Sequence, residues 1–284
     1  MWEILVAKEP VFISEFIFSF CEECDDIFSE WTNDFYPVIQ QIREHEYGVI
    51  IIKKLGELYL LYIDKSCFPN LCGHASFGLS HLLYKNYNYN NTLHFNTKSG
   101  KIISKIEENT IILTMPVSRI IELNLIINLP FIKSSSIVEC GNSFILIEVK
   151  NINNYSVDYL RELSIGLINQ HNVYGVFWYS FLDILSTRSI TVFGKNGQID
   201  LSPCGTGSSS LAALLYAKKI LSLGEKLENY SLSNDKFTVE IKENNSIQPS
   251  LYSSNNIEII KKHKFNIPVT NKNWQLINLA DYKL

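Results

Sequence analysis

The sequence predicts an α+β protein of two pseudo-symmetric halves, each a curled, mostly antiparallel sheet or barrel around a central helix. Three observations predict this class: a duplicated Cys-Gly segment, β-rich runs around one apolar helix in each half, and a globular composition. Hydrophobic residues make up 46% and charged residues 19% of the 284 residues, which argues against disorder. A chain of this length can form two domains of ordinary size.

Two segments that begin with Cys72 and Cys204 give the clearest sign of duplication. They read CGHASFGLSHLLY and CGTGSSSLAALLY, in which Cys, Gly, Ser, three Leu and Tyr coincide without a gap. The two cysteines lie 132 positions apart, close to half the chain. A period this long indicates a duplicated domain rather than a solenoid.

Flanking segments repeat in the same order and at nearly the same offset. Residues 42–49 (IREHEYGV) resemble residues 168–176 (INQHNVYGV), with one residue inserted. Residues 101–109 (KIISKIEEN) resemble residues 236–244 (KFTVEIKEN). Three blocks in one order extend the repeat well beyond the cysteine segments.

Each half is predicted to contain the same elements in the same order. An amphipathic helix comes first and is clearest from Ser156 to Gln170, with Ser156 as its N-cap. A β-rich run follows at residues 47–63 and again at 174–193. A turn then carries the Cys-Gly motif, which opens a buried helix, and further strands such as 237–241 follow.

The boundary between the halves is expected near Pro130, where a proline and a serine run break the pattern. The N-terminal half is therefore residues 1–130 and the C-terminal half residues 131–284. The tail from Ser246 onward has no recognised counterpart, and it could pack back on the N-terminal half.

Charge and hydropathy exclude several classes of partner. The net charge of −4, from 25 basic and 29 acidic residues, gives no reason to expect nucleic acid or an anionic membrane. The N-terminus lacks a secretory pattern, and polar residues and a proline interrupt the most apolar run, residues 120–132. We expect a soluble, cytoplasmic protein with a small-molecule partner and leave a homodimer open.

Cys72 and Cys204 are predicted to carry chemistry because each opens a helix. The unpaired N–H groups at a helix N-terminus favour a thiolate, so we expect a lowered thiol pKa there. The neighbouring glycines let the backbone approach a carboxylate closely. Inverting a Cα stereocentre needs an acid and a base on opposite faces, which one cysteine from each half would supply. The alternative is a pair of buried structural cysteines.

These motifs resemble those of the proline racemase family, which includes hydroxyproline epimerases and trans-3-hydroxyproline dehydratases. Residues 200–207 (DLSPCGTG) resemble its Asp-Arg-Ser-Pro-Cys-Gly-Thr-Gly motif, and residues 71–74 (LCGH) its Met-Cys-Gly-His motif. Residues 141–144 (GNSF) resemble its Gly-Gly-Asn-Phe region. The resemblance implies the diaminopimelate epimerase type of fold, with the active site in the cleft between the halves.

The resemblance implies an amino-acid racemase or epimerase that needs neither pyridoxal phosphate nor a metal. Cys72 and Cys204 would be the acid/base pair, and His74 and Asp200 would bind the substrate's amino group. The other implied substrate contacts are backbone donors to the carboxylate and one aromatic wall: Gly73, Gly205, Thr206 and Phe193.

The chain also departs from the family pattern. Leu201 replaces the motif's arginine, and only Lys8-Glu9-Pro10 remains of an N-terminal His-Thr-x-Gly-Glu-Pro element. The departures leave the substrate open, with proline or hydroxyproline as the default, and they keep open a non-catalytic amino-acid-binding protein. Dehydratases of the family typically carry threonine at the second cysteine, so Cys204 disfavours a lyase.

Cys21 and Cys24 form a C-x-x-C that could be half a zinc site or a redox pair. No second C-x-x-C exists in the chain, so we expect no metal and regard a thiol redox protein as a third alternative. Cys140 stands where the family has glycine, and we expect it to be structural.

Overall fold

A computed structural model of the chain describes residues 2–8, 15–22, 47–54, 57–64, 68–87, 92–108, 110–200, 202–242, 246–253 and 258–265. The chain divides into two compact units, one of residues 1–111 with 254–284 and one of residues 112–253. The first unit thus takes residues from both ends of the chain. The sequence suggested one boundary near Pro130, together with a tail that could pack back on the N-terminal half. We call them the first unit and the second unit.

The first unit combines strands with one helix among its described residues, α1 (Gly73–Tyr87). Its strands are β1 (Trp2–Lys8), β2 (Glu15–Glu22), β3 (Tyr47–Lys54), β4 (Glu57–Asp64), β5 (Thr92–Thr97), β6 (Gly100–Glu107) and β17 (Glu258–Phe265). Strand β1 pairs antiparallel with β17 and β2, and β2 pairs parallel with β3. Strand β4 then pairs antiparallel with β3 and parallel with β5, which pairs antiparallel with β6.

The next strand, β7 (Thr110–Thr114), begins in the first unit and ends in the second. The remaining strands of the second unit are β8 (Arg119–Leu123), β9 (Ile132–Cys140), β10 (Asn142–Val149), β11 (Gly175–Asp183), β12 (Ser186–Phe193), β13 (Gln198–Asp200), β14 (Lys226–Tyr230), β15 (Lys236–Ile241) and β16 (Pro249–Ser253). Its helices are α2 (Val157–His171), α3 (Gly205–Ala217) and a 3₁₀ turn, Ile152–Asn154.

The strand pairings of the second unit repeat the order seen in the first. Strand β9 pairs antiparallel with β8 and β10, β10 parallel with β11, and β11 antiparallel with β12. Strand β12 pairs parallel with β14, which pairs antiparallel with β15. The three repeated sequence blocks fall at β3 and β11, at the starts of α1 and α3, and at β6 and β15. The described residues are mostly sheet with few helices, which confirms the α+β class.

Helix α2 confirms the predicted amphipathic helix. The Ser156 hydroxyl accepts a hydrogen bond from the Tyr159 N–H at 3.2 Å, and Asn172 ends the helix in the left-handed region at φ 50°. On the buried face, the Trp178 indole N–H donates to the Ser164 hydroxyl at 2.8 Å. A core of aliphatic side chains and Trp178 packs around this face. Helix α2 therefore covers the β10–β12 part of the sheet.

Helix α3 is buried along residues 205–215 and packs against β8, β9, β10, β15 and β16. Small residues at its start permit this depth. A Cβ on Gly207 would stand 2.3 Å from a ring carbon of the buried Phe177, so only glycine fits there. No described helix is long and apolar enough to cross a membrane.

Candidate active site

The Cys72 site is the start of α1, comprising Cys72, Gly73 and His74. Cys72 immediately precedes the helix and is partly buried. Its carbonyl accepts hydrogen bonds from the Ser76 N–H at 3.0 Å and the Ser76 hydroxyl at 2.8 Å. Its Sγ accepts from the Ala75 N–H at 3.5 Å. The thiol therefore lies against the first-turn N–H groups, as predicted for a helix N-terminus.

Tyr62 on β4 is linked to this site through a hydrogen bond to Ser76. Its hydroxyl lies 2.7 Å from the Ser76 hydroxyl in the core. Because Ser76 donates to the Cys72 carbonyl, it must accept from Tyr62. Burial raises the pKa of Tyr62, and Cys72 raises it further, so the phenol stays neutral and remains a donor. His74 lies in the first turn of α1 and is only 4% exposed.

The Cys204 site is the start of α3 with the strand end before it, comprising Asp200, Cys204, Gly205 and Thr206. Cys204 is the N-cap, with extended backbone, and its Sγ accepts from the Gly207 N–H at 3.4 Å. The Thr206 hydroxyl lies 3.5 Å from the same sulfur. The Cys204 carbonyl accepts from the Ser208 N–H at 2.8 Å and the Ser208 hydroxyl at 2.7 Å.

The electrostatic environment of Cys204 differs from the expected one. Burial, and then the charge of Asp200, raise the pKa of the Cys204 thiol to about 11. Hydrogen bonds from Thr206, the Gly207 N–H and Thr191 act in the opposite direction but are weaker. The expectation of a lowered pKa at this helix start is therefore wrong for Cys204, because desolvation outweighs the N–H groups. At neutral pH Cys204 is a thiol.

Asp200 ends β13, where its carboxylate accepts from the Ser202 N–H at 3.0 Å. This turn leads directly from the carboxylate to Cys204, with Leu201 between them outside the described residues. In the pairing of β12 with β13, Asp200 lies opposite the buried Thr191. The strand pairing therefore places a carboxylate and a hydroxyl beside the thiol.

Phe193, the predicted aromatic wall, ends β12 and is buried. Its ring stacks on that of Tyr174 with centroids 5.6 Å apart, and Tyr174 meets Phe144 edge-on at 5.5 Å. Phe193 thus belongs to an aromatic cluster of the second unit, and its contact with a substrate stays a prediction.

The predicted site residues fall into two groups. Asp200, Cys204, Gly205 and Thr206 come together in the second unit, whereas Cys72, Gly73 and His74 come together in the first. Sequence reasoning missed the serine four positions after each cysteine, which binds the cysteine carbonyl in both units. That serine is identical in the two copies, so the repeat alignment carried the signal.

Of the other four cysteines, Cys21 and Cys140 lie in described strands. Cys21 lies on β2, and Cys24 and Cys67 fall outside the described residues. Among the described residues, no group of three His, Cys, Asp or Glu side chains is arranged to hold a metal. Cys140 ends β9, and burial raises the pKa of its thiol to about 12, as expected for a structural cysteine.

Solved structures with a similar fold include a hydroxyproline epimerase from Agrobacterium vitis, crystallised with bound trans-4-hydroxy-L-proline. It superposes with a TM-score of 0.74 over 92% of this chain and 91% of its own, at 14% identity. A phenazine biosynthesis PhzF family protein from Enterococcus faecalis superposes with a TM-score of 0.67 over 94% and 99%, at 16% identity. The fold is therefore one that racemase-like and PhzF-like proteins share.

Sequence comparison then points to one family within that fold. Residues 169–251, which contain the Cys204 site, match the family described as proline racemase. A proline racemase from Clostridioides difficile is 42% identical over 60 residues, which cover 21% of this chain and 18% of that protein. A trans-3-hydroxy-L-proline dehydratase from Bacillus cereus is 43% identical over 54 residues, or 19% and 16%. The matched segments thus span less than a fifth of these relatives, and they confirm the resemblance to the proline racemase family.

Proposed function

We propose that this protein is a cofactor-independent amino-acid racemase or epimerase in which Cys72 and Cys204 act on opposite faces of one Cα. One observation carries the proposal. Both cysteines stand at the start of a helix, with the sulfur held by the N–H three residues on and the carbonyl held by the serine four residues on. Acid/base chemistry at a carbon requires such fixed groups.

The proposed reaction moves two protons. One cysteine, as a thiolate, removes the Cα proton and becomes a thiol, leaving a carbanion whose charge spreads onto the carboxylate. The other cysteine, as a thiol, delivers its proton to the opposite face and becomes a thiolate. Cys204 fits the role of the proton donor in the resting protein, because the raised pKa of its thiol keeps it protonated at neutral pH.

The carboxylate would be bound by the N–H groups that open α1 and α3. Such donors stabilise the charge that develops there during proton removal, and one preorganised donor is typically worth about 2.7–4 kcal/mol. Asp200 and His74 would bind the substrate's amino group. An ammonium beside Asp200 would offset the negative charge that raises the pKa of Cys204, so substrate binding would itself activate the thiol.

We further propose that the two units are pseudo-symmetric copies, each a sheet curled around its own helix. Two observations support this. The antiparallel and parallel pairings follow one order in both units, with the three repeated sequence blocks at equivalent elements. In the second unit, α3 contacts β8, β9 and β10 and also β15 and β16. Along the strand pairings, β11, β12 and β14 lie between these two groups.

The direct test is solvent deuterium exchange at Cα over a panel of amino acids that starts with L-proline, D-proline and trans-4-hydroxy-L-proline. The wild type should exchange at least one substrate and interconvert its stereoisomers. Cys72→Ser and Cys204→Ser should each lower this rate about 10²–10⁴-fold, the usual contribution of general acid/base catalysis. Cys140→Ala, a buried cysteine outside both sites, is the matched control and should retain activity in the folded protein.

A wild type that is folded yet exchanges no member of the panel would contradict the proposal. So would a Cys72→Ser or Cys204→Ser variant that keeps full activity.

A lyase of the trans-3-hydroxyproline dehydratase type is the second candidate. The 43% identity to the Bacillus cereus dehydratase favours it, although the match covers only 54 residues. Incubation with trans-3-hydroxy-L-proline distinguishes the two reactions. Loss of water would indicate the lyase, whereas a change of configuration at Cα with the hydroxyl retained would indicate the epimerase.

A further inference from the structure

A buried cluster of polar side chains is hydrogen-bonded to Cys204 through Ser208. The Asn229 amide on β14 donates to the Ser208 hydroxyl and the Ser189 hydroxyl, each at 2.9 Å. Its carbonyl oxygen accepts from the Thr187 hydroxyl at 2.9 Å. Ser208 in turn donates to the Cys204 carbonyl at 2.7 Å. We call Thr187, Ser189, Ser208 and Asn229 the Asn229 cluster.

The cluster is almost wholly removed from water. Thr187, Ser208 and Asn229 are fully buried, and Ser189 is 4% exposed. Asn229 uses its carbonyl and both amide hydrogens in these bonds, so each polar atom of its side chain has a partner. Its side chain is therefore held in one orientation by three partners, and it reaches the cysteine through a single serine.

The first unit fills the equivalent position with an apolar side chain. Phe95 on β5 lies opposite Ile102, as Asn229 on β14 lies opposite Phe237. Ile102 and Phe237 are aligned residues of the repeated blocks, so Phe95 and Asn229 correspond. Phe95 is fully buried. Packing at this point of the fold therefore does not require an amide, and a buried amide carries a desolvation cost that a phenyl ring does not.

We propose that Asn229 is a positioning residue for Cys204, which holds the first turn of α3 through Ser208 and so fixes the sulfur against the Gly207 N–H. The inference deepens the proposed function, since it assigns a device that aligns one of the two acid/base groups. Loss of the amide would let the first turn shift and would weaken the two contacts to the sulfur, from the Gly207 N–H and the Thr206 hydroxyl.

The test compares Asn229→Leu with wild type by the rate at which iodoacetamide alkylates each cysteine, resolved by mass spectrometry across pH. Both sulfur contacts lower the pKa of Cys204, so their loss should raise it and slow alkylation of Cys204. We expect about a three- to tenfold slowing at a fixed pH, since one pKa unit is tenfold in thiolate population. Alkylation of Cys72 should stay within about twofold of wild type, given the few tenths of a kcal/mol typical for independent sites.

Two further variants keep the test decisive. Thr187→Val removes only the hydroxyl that binds the Asn229 carbonyl, with little change in volume, and should shift Cys204 alkylation in the same direction. Phe95→Leu, at the equivalent position of the first unit, is the matched control and should leave Cys204 alkylation unchanged.

The proposal is overturned if Asn229→Leu and Thr187→Val fold with a lowered melting temperature while Cys204 alkylates as in wild type, because the cluster would then be structural only. The alkylation assay needs no turnover. A wild type that exchanges no substrate would therefore count against the proposed function and leave this result standing.

Discussion

The Cys72 and Cys204 sites share one backbone arrangement but have different surroundings. In both, the sulfur accepts from the N–H three residues on, and the serine four residues on binds the cysteine carbonyl. The serine itself is held by the Tyr62 hydroxyl in the first unit and by the Asn229 amide in the second. The duplicated segment thus determines the helix start, and strands elsewhere in each unit determine its environment.

This difference suits a two-proton reaction. In the proposed reaction, one cysteine begins each turnover as a thiol and the other as a thiolate, so the two environments need not be identical. Burial, and then the charge of Asp200, favour the thiol form of Cys204. Asp200 belongs to the β13 turn before Cys204, and the segment just before Cys72 carries no matching carboxylate at that spacing, where Phe68 stands instead. The comparison therefore predicts that substitutions at equivalent positions have unequal effects.

Gly207 and Ala75 occupy equivalent positions, three residues after each cysteine, and should give the largest contrast. A Cβ at Gly207 would stand 2.3 Å from the buried Phe177 ring, so Gly207→Ala must displace either the ring or the helix start. We expect a loss of about 1–3 kcal/mol in the free energy of unfolding, as for other overpacked cores, together with reduced activity. Ala75→Gly creates no clash and should lose only about 0.5–1 kcal/mol.

Urea unfolding of the two variants beside wild type measures this contrast. Equal losses in the free energy of unfolding would contradict the inference that α3 lies too close to the Phe177 ring for any residue but glycine at position 207.

Asp200→Asn should change the titration of Cys204. The carboxylate disfavours the thiolate, so its removal should lower the pKa of the Cys204 thiol below about 11. Cys204 should then alkylate faster at pH 9, where more of it is ionised. Asp183→Asn, an exposed carboxylate of the same unit, is the control and should leave the rate unchanged. An unaltered alkylation rate in Asp200→Asn would contradict the inference that the Asp200 carboxylate raises the pKa of the Cys204 thiol.

Tyr62→Phe should give the smallest effect, confined to the first unit. It removes the hydroxyl that binds Ser76, a single buried hydrogen bond worth about 0.5–1.5 kcal/mol. Differential scanning calorimetry should show a modest fall in melting temperature, and alkylation should change at Cys72 but not at Cys204. Tyr59→Phe, on the same strand but partly exposed, is the control. A change at Cys204 in Tyr62→Phe would argue against separate support of the two sites.

The elements that could be predicted from sequence are those with local signals. Ser156 marked the start of α2, and the Cys-Gly motifs marked the starts of α1 and α3, because caps and helix openings depend on adjacent residues. The β-rich runs 47–63 and 174–193 were located, but each contains two strands. The hairpin between β11 and β12 was missed because the turn residues Ile184 and Leu185 include no glycine or proline to mark a turn.

The surroundings of the cysteines could not be predicted, because they depend on contacts between distant residues. Asn229 lies 21 positions after Ser208 and 42 after Thr187, yet all three are bonded in the core. The pKa of Cys204 was predicted in the wrong direction for the same reason. The motif showed a helix N-terminus but could not show the burial and the nearby charge of Asp200, which raise the pKa of the thiol.

The most direct test of the two-cysteine proposal is a crystal structure with a planar five-membered-ring carboxylate bound, whose flat ring carbon resembles the carbanion. The account predicts that the Sγ atoms of Cys72 and Cys204 lie on opposite faces of that carbon, each at about 3–3.5 Å. Both helix starts should direct N–H groups at the carboxylate. A complex in which only one sulfur approaches the carbon, or both lie on the same face, would contradict it.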